Sequence, residues 1–459
     1  MATDPMATAI ERLRNEFGGA LVEPDHQDYD TARAVVYGMF DPHPAAILRP
    51  TSAAQVAVAV TVANELGVPL AVRSGGHSTA GLSGGDGAIV LDLREMKALE
   101  IDTGNRTAWA QTGLTAGEYT AAVGEHGLAT GFGDTGSVGI GGLVTGGGVG
   151  FLSRKFGLTI DDVVAAEVVT ASGQVLEVDG RVHPDLYWAI RGGGGNFGVL
   201  TRLKFRLHDV PSVVGGMLIL PATPDVIEGA VAAANAAPEE LSAIINVMTA
   251  PPMPFIPEHV HGQLVAMLLI CHAGRADEGE RAVAPFRALA EPLADQLAPI
   301  TYPEMFPPEP EGYRPIAVAR NLFMDAVDAD SAKLIVDRLE SATAMMRVVQ
   351  IRVLGGAVSR VPADATAYAH RGQPIMANVA AMYQDLNETA THEAWTDKVA
   401  AELRNGPAAY VNFVGDEGPD RVRDAYPGPT WDRLREIKRR YDPANVFRSN
   451  QNIPPAEHS

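Results

Sequence analysis

Between Thr130 and Gly150 the chain reads TGFGDTGSVGIGGLVTGGGVG, and ten of those twenty-one residues are glycine. Glycine loses more freedom on ordering than any other residue and has no side chain to pack. Such density is therefore incompatible with an ordinary helix or strand. Ile140, Leu143, Val144 and Val149 are interspersed, which a low-complexity linker avoids. Backbone lying directly against a large flat or charged ligand accounts for both features.

Two further glycine clusters flank this block. Upstream, VRSGGHS (Val72–Ser78) joins a strand-like run, VPLAV, to a second one, AIVLDL. Its small residues leave the backbone bare, so successive N–H groups can converge on an anion such as a pyrophosphate, with His77 as a nucleophile beside it. A surface turn with an incidental histidine fits the heptad equally well. Downstream, DLYWAIRGGGGNFGVLTRLKFRL (Asp185–Leu207) reads as a short helix, four glycines and a strand.

Around these clusters lies an α+β pattern. A helical pattern at Ile10, Leu13 and Phe17 leads into a linker that runs to residue 50. Ser52 and Gly67 are placed as the caps of one helix, a second runs from about Thr115 to His126, and a hairpin turns at Ser172-Gly173. With 459 residues there is room for two or three domains. A net charge of −20 disfavours nucleic acid and anionic membranes as partners. The single cysteine, Cys271, excludes an internal disulfide and suits a reducing compartment. Neither a secretory signal nor an apolar run of membrane-spanning length is visible, so a cytoplasmic protein is expected.

Several motif matches fail on context. Gly193–Gly198 and Gly131–Gly136 fit G-x-G-x-x-G, but a dinucleotide fold needs a helix to follow, and these run into a strand and into more glycine. Gly81–Gly85 fits G-x-S-x-G without the flanking strand and helix of a hydrolase elbow. The twelve histidines are scattered, there is no cysteine pair, and no metal site is predicted.

RSGGHS, the SVGIGG–GGGVG block and RGGGGNFGV, in this order and spacing, resemble the FAD-linked oxidases of the berberine-bridge-enzyme-like group. The Tyr410–Asn412 triplet YVN and the C-terminal RLREIKRRYDPANVFRSNQNIPP are similar to the same family. The resemblance implies the vanillyl-alcohol-oxidase architecture. Here that means a PCMH-type FAD-binding domain over residues 1–209 (core about 42–208), a substrate domain inserted at 210–425, and a segment, 426–459, returning to the first. It implies an oxidase that moves a hydride from an alcohol or amine to FAD and then electrons to O2, acting as a monomer or homodimer. It assigns His77 to covalent attachment of the flavin and Arg73, Ser74, Gly75, Gly76 and Ser78 to the pyrophosphate loop. Gly133, Asp134, Thr135, Val138, Gly139, Gly141, Gly142, Gly146, Gly147 and Gly148 would run beneath the cofactor, with Gly195, Gly198, Val199, Asn450 and Asn452 completing the site. Many relatives carry a second link through a cysteine at the position of Thr135; here one link, through His77 only, is expected.

The middle of the chain carries six or seven strand-like runs, from GGMLILP to AAYVNFVG, with helical patterns at Ala276–Ala290, Asp330–Ala342 and Thr391–Arg404. This predicts an antiparallel sheet backed by helices. Read as a strand, YVN sends Tyr410 and Asn412 to one face. The family gives that tyrosine a base or positioning role, provided the site lowers its pKa from ~10. Gln350, Arg352, Asn378 and Tyr383 are the candidate pocket residues, while His370 and Arg371 are expected at the surface. A flavin dehydrogenase using another acceptor, or a non-catalytic flavin protein, would carry the same glycine motifs.

Overall fold

The computed structural model describes residues 4–310 and 312–457. Strands Ala20–Val22, Ala46–Arg49, Ile89–Asp92 and Leu70–Arg73 lie side by side in that order, the last three mutually parallel. Parallel pairing needs a crossover, and helix Ala53–Leu66 supplies it. Ser52 Oγ accepts the Gln55 N–H at 3.4 Å, and Gly67, at φ +66°, closes the helix in the left-handed region that other residues avoid. The stretch up to residue 50 is not the expected linker. It supplies two strands and a short helix, Tyr29–Arg33, each too brief for a period to register.

A second, antiparallel sheet orders Leu99–Asp102, Thr107–Gln111, Val199–Arg206, Val163–Val169 and Val175–Asp179. Helix Ala116–Gly124 starts at a reciprocal cap between Thr115 and Glu118. The glycine block crosses above this sheet. It is not wholly irregular: Ile140–Gly146 forms a helix of two turns. Ile140 and Val144 bury its inner side, and tertiary packing outweighs the poor propensity of three glycines.

The third layer is an eight-stranded sheet. Its main path is Ala294–Asp295, Val213–Pro221, Leu264–His272, Leu241–Thr249, Met346–Val353, Ile375–Tyr383 and Ile316–Met324, paired antiparallel throughout. Helices Pro224–Ala236, Ala276–Arg287, Ala329–Glu340 and Thr389–Leu403 cover one face and bury Ile245, Leu268, Ile351 and Val379 between them. Each such side chain contributes about 1.5–3 kcal/mol on burial.

YVN does not add a strand to this sheet. Tyr410 is extended, but Val411–Phe413 is a single 3-10 turn closed by the Phe413 N–H on Tyr410 O at 2.9 Å. His370 and Arg371 are not at the surface either. They are 8% and 2% exposed, and Arg371 forks both oxygens of Asp161 at 2.7 and 2.8 Å.

The C-terminus packs on the glycine turn at 193–198. Lys438, fully buried on helix Pro429–Tyr441, donates to Asn196 O, Phe447 O and Asp442 Oδ2 at 2.8, 2.9 and 2.6 Å. Burial pulls the Lys438 ammonium below its ordinary value, against the raising influence of Asp442. Asn196 returns the contact by donating to Gln451 O and accepting the Ile453 N–H. No helix among the described residues is long and apolar enough to cross a membrane.

Candidate functional site

Two glycine loops meet main chain to main chain. A Cβ on Gly139 would overlap Ser74 Oγ and Gly75 N, and one on Gly75 would overlap Gly139 N. Ser74 Oγ donates to Thr112 O at 2.6 Å, which ties the first loop to the second sheet. Ser78 Oγ accepts the Leu82 N–H at 3.3 Å. Arg73 does not reach into the cleft. Its guanidinium turns inward to Asp92 at 3.0 Å and to Ala32 O at 2.6 Å, so only its backbone belongs to the loop.

Half-buried in this turn, His77 places Nε2 3.0 Å from Ser137 Oγ. Burial lowers its pKa from the ordinary value, opposed by the charge of Glu309 and the Ser137 contact. The imidazole is therefore neutral at pH 7, the form in which a ring nitrogen can act as a nucleophile. Ser137, missed in the sequence, lies in the same glycine block. Thr135 offers a hydroxyl, 3.5 Å from Asp134 Oδ1, and no thiol stands near it. Cys271 is fully buried in strand Leu264–His272, and burial pushes its thiol up to about 12.

Tyr410 and Asn412 meet in spite of the turn. Asn412 Nδ2 donates to Tyr410 Oη at 3.0 Å and to Leu143 O at 2.9 Å. The Gly148 N–H also donates to Tyr410 Oη, at 2.8 Å. Gly147 makes this approach possible. At φ +143° it holds a conformation glycine tolerates, and a Cβ there would press on the rings of Tyr410 and Tyr368 at 3.2 and 3.3 Å. Gly146 is covered by the Asn412 carboxamide in the same way. The expected lowering of the Tyr410 pKa is corrected by this environment. Burial raises it and outweighs the two donors and the Arg352 charge, all of which act downward.

The sheet forms the opposite wall. Arg352 donates to Gln350 Oε1 at 2.8 Å and to Asp134 Oδ2 at 2.7 Å, linking sheet to glycine block. Gln350 Nε2 donates to Asn246 Oδ1 at 2.9 Å, and Asn321 Oδ1 accepts the Tyr410 N–H at 2.7 Å. Asn246 and Asn321 were not singled out in the sequence, although each stands in a largely apolar strand. Asn378, half-exposed, sits between Gln350 and Asn321 in register. Tyr383 is the miss. Five residues beyond Asn378, it points to the other face, where its hydroxyl bonds Thr389 Oγ1 at 2.9 Å and its ring lies against His392.

At the third turn Gly195 O accepts Asn450 Nδ2 at 2.9 Å. Gly198, at φ +152°, is extended against Val168 and Val169, and Val199 is 1% exposed in the core behind. Asn450 Oδ1 and Asn452 Oδ1 are buried with no hydrogen-bond partner, and nothing lies within 4 Å of a Cβ placed on Gly142. Gly133, Val138 and Gly141 complete the same wall, with Val138 O accepting the Ala116 N–H at 2.8 Å. Bare main chain with orphaned amide acceptors fits an extended ligand carrying amino and hydroxyl groups, and FAD has both.

Comparison with known proteins agrees with this geometry. The family described as "FAD binding domain" matches residues 44–179, and that described as "Berberine and berberine like" matches residues 409–454. The chain is 30% identical to (R)-6-hydroxynicotine oxidase of Paenarthrobacter nicotinovorans over 95% of its own length and 97% of that protein. It is 28% identical to berberine bridge enzyme-like 17 of Arabidopsis thaliana, covering 90% and 85%. The crystal structure of 6-hydroxy-D-nicotine oxidase from Arthrobacter nicotinovorans superposes with a TM-score of 0.86 at 25% identity, covering 99% of this chain and all of that one.

Proposed function

This chain belongs to the berberine-bridge-enzyme-like family of FAD-linked oxidoreductases, and from that premise we propose that it is an oxidase acting on an alcohol or amine, with FAD bonded through His77 alone and O2 as final acceptor. The observation that carries this reading is the meeting of Tyr410 Oη with the Gly148 N–H and Asn412, between the glycine block and a polar sheet face. When bound, the flavin supplies a hydride acceptor and a route for two electrons to O2, which leaves as H2O2. Burial raises the Tyr410 pKa, so its phenolate is the minor form at neutral pH, and in that form Oη takes the substrate's hydroxyl proton as the C–H bond breaks. The Gly148 N–H and the Asn412 amide hold that oxygen in place and stabilise the negative charge it carries as phenolate before the proton arrives.

His77 is neutral and faces the cleft, whereas Cys271 is sealed in the core and Thr135 is no thiol. These facts favour one link over two. In this reading residues 1–209 and 426–459 hold the cofactor, and 210–425 supply the substrate wall. The contacts of Lys438, Asn450 and Gln451 with the 193–198 turn support that division.

Acid precipitation of the purified protein tests the attachment. The yellow colour is expected to stay in the pellet for wild type and to be released from His77→Ala, which still binds FAD. A wild type that gives up all its flavin to acid, or a flavin-bearing peptide containing Cys271, overturns it. Mixing the chemically reduced protein with air tests the acceptor: slow or absent reoxidation would assign the protein to the dehydrogenases.

A further inference from the structure

The sheet wall has a composition that the proposed reaction leaves unused. Antiparallel register puts Asn246 opposite Gln350, Gln350 opposite Asn378, and Asn378 opposite Asn321. Four adjacent strands thus carry one carboxamide each on a single line across the sheet. Two of the four are committed to side-chain partners, and a third, Asn321, has its oxygen engaged while its Nδ2 is buried without a partner. Asn246 and Gln350 bond each other, Gln350 also accepts from Arg352, and Asn321 accepts the Tyr410 N–H. Asn378 makes no side-chain hydrogen bond among the described residues, and its Oδ1 is buried without a partner. It is the carboxamide of the row left with both a donor and an acceptor to offer.

Beyond that row the floor turns apolar. Val348 stands opposite Ala380, and Met346 opposite Met382, on the same face and successively farther along the strands from the Gln350–Asn378 pair. Successive rows are roughly 7 Å apart along the strands, and strands roughly 4.8 Å apart, so the floor accommodates a body of two or three fused rings. The charge at this wall is cancelled. Arg352 is 4% exposed and lies 2.7 Å from Asp134, which leaves, among the described residues of this wall, no free cation for a carboxylate and no free anion for an ammonium. Glu309 stands near His77 and Tyr313 at the mouth, but it is exposed and screened by solvent.

Resting on the oxidase reading above, we infer that the substrate is an uncharged secondary alcohol on an apolar ring body, its hydroxyl recognised by Asn378. Asn378 Nδ2 donates to the carbinol oxygen, which leaves the hydroxyl proton to Tyr410, and the Val348 and Met346 rows take the rings. A bound flavin would supply the acceptor for the carbinol hydride, the Tyr410 phenolate takes the hydroxyl proton, and a ketone is left. A protonated amine would be desolvated with no counter-charge, at a cost of several kcal/mol. An oligosaccharide would leave most of its hydroxyls unpaired against methionine and alanine.

The test uses three probes on the flavin-bearing protein under anaerobic conditions: α-tetralol, aminotetralin on the same skeleton, and cellobiose. Flavin bleaching by α-tetralol at least about tenfold faster than by either of the others is expected. Calorimetric titration with α-tetralone reads binding without turnover. Asn378→Leu should weaken that binding by about tenfold, the scale of one lost hydrogen bond to a neutral group, with flavin content and spectrum intact. Arg352→Gln leaves Asp134 uncompensated and should shift the preference toward aminotetralin by roughly tenfold. Faster bleaching by aminotetralin or cellobiose, or tetralone binding indifferent to Asn378→Leu, overturns the inference while leaving the oxidase reading in place. A protein that holds no flavin overturns both.

Discussion

The two walls of the cleft are built from different materials. The glycine wall is main chain: Gly139 lies against Ser74 and Gly75 with no room for a methyl group, and Gly147 lies against two tyrosine rings that a methyl group would press. The sheet wall is side chain. Alternate residues of each strand feed the helix-backed core, and those between them face the cleft. A change on the first wall moves backbone that others rest on. A change on the second alters what is presented and leaves ladder and core intact. On the proposed function, retention of the cofactor and choice of substrate should therefore be separable.

The sharpest way to break that separation is at the brace beneath the glycine wall. Lys438→Met leaves Asp442 buried without its counter-charge, and a loss of about 3–5 kcal/mol is expected. Denaturant unfolding checks it, together with a fall in the flavin-to-protein absorbance ratio. Unchanged stability would show that the C-terminal return is not what holds the turn at 193–198. Gly139→Ala is expected next, at about 1–3 kcal/mol from forced displacement of Ser74 and Gly75. Its flavin content should fall with its stability. A variant that kept wild-type flavin would mean the two loops do not set the cofactor's seat.

Tyr410 stands where the walls meet, and its substitution should affect rate alone. Tyr410→Phe keeps the ring and removes the hydroxyl, so reduction of the flavin by substrate should slow by about 10²-fold, with flavin content and reoxidation near wild type. The pH profile carries the signature. Burial raises the phenol above ~10, so at neutral pH the phenolate is a small fraction that grows about tenfold per pH unit. The wild-type reductive rate should climb with pH through the neutral and mildly alkaline range, and the Phe variant's should not. A drop of less than about tenfold, or a parallel climb in the variant, removes Tyr410 from the role of base.

What the sequence makes legible follows the same division. Close main-chain approach demands glycine, and glycine at such density is visible without any structure, so RSGGHS, Gly139 and Gly146–Gly148 could be read directly. The sheet wall is encoded by which residue of an alternating pair faces the cleft. Gln350, Arg352 and Asn378 were placed on strands, but the facing parity of Tyr383 depends on register with strands far away in the chain. Asn246 and Asn321 went unnoticed because their row exists only across four strands. The YVN turn was hidden for a related reason. Its backbone is set by Asn321 taking the Tyr410 N–H, a partner that no local pattern reveals. Arg73, assigned to the pyrophosphate loop by resemblance, offers that loop only its backbone because Asp92 takes its guanidinium.

The smallest expected effect sharpens the comparison most. Val348 is half-exposed on the cleft face, two residues from Gln350, and its neighbour across the ladder is Ala380. Val348→Ala removes two methyl groups that are only partly withdrawn from water, so the loss of stability should stay within about 1 kcal/mol. The strand ladder does not involve the side chain, and the helix-facing core residue beside it, Val349, is untouched. Flavin content, acid-stable colour and reoxidation in air should match wild type, while affinity for a ring-bearing alcohol falls by a few-fold. The contrast with Gly139→Ala is the point of the experiment, since each substitution differs from wild type by no more than two carbon atoms. If Val348→Ala lost flavin as Gly139→Ala is expected to, the sheet would be part of the cofactor's seat, and the two walls would have to be treated as one.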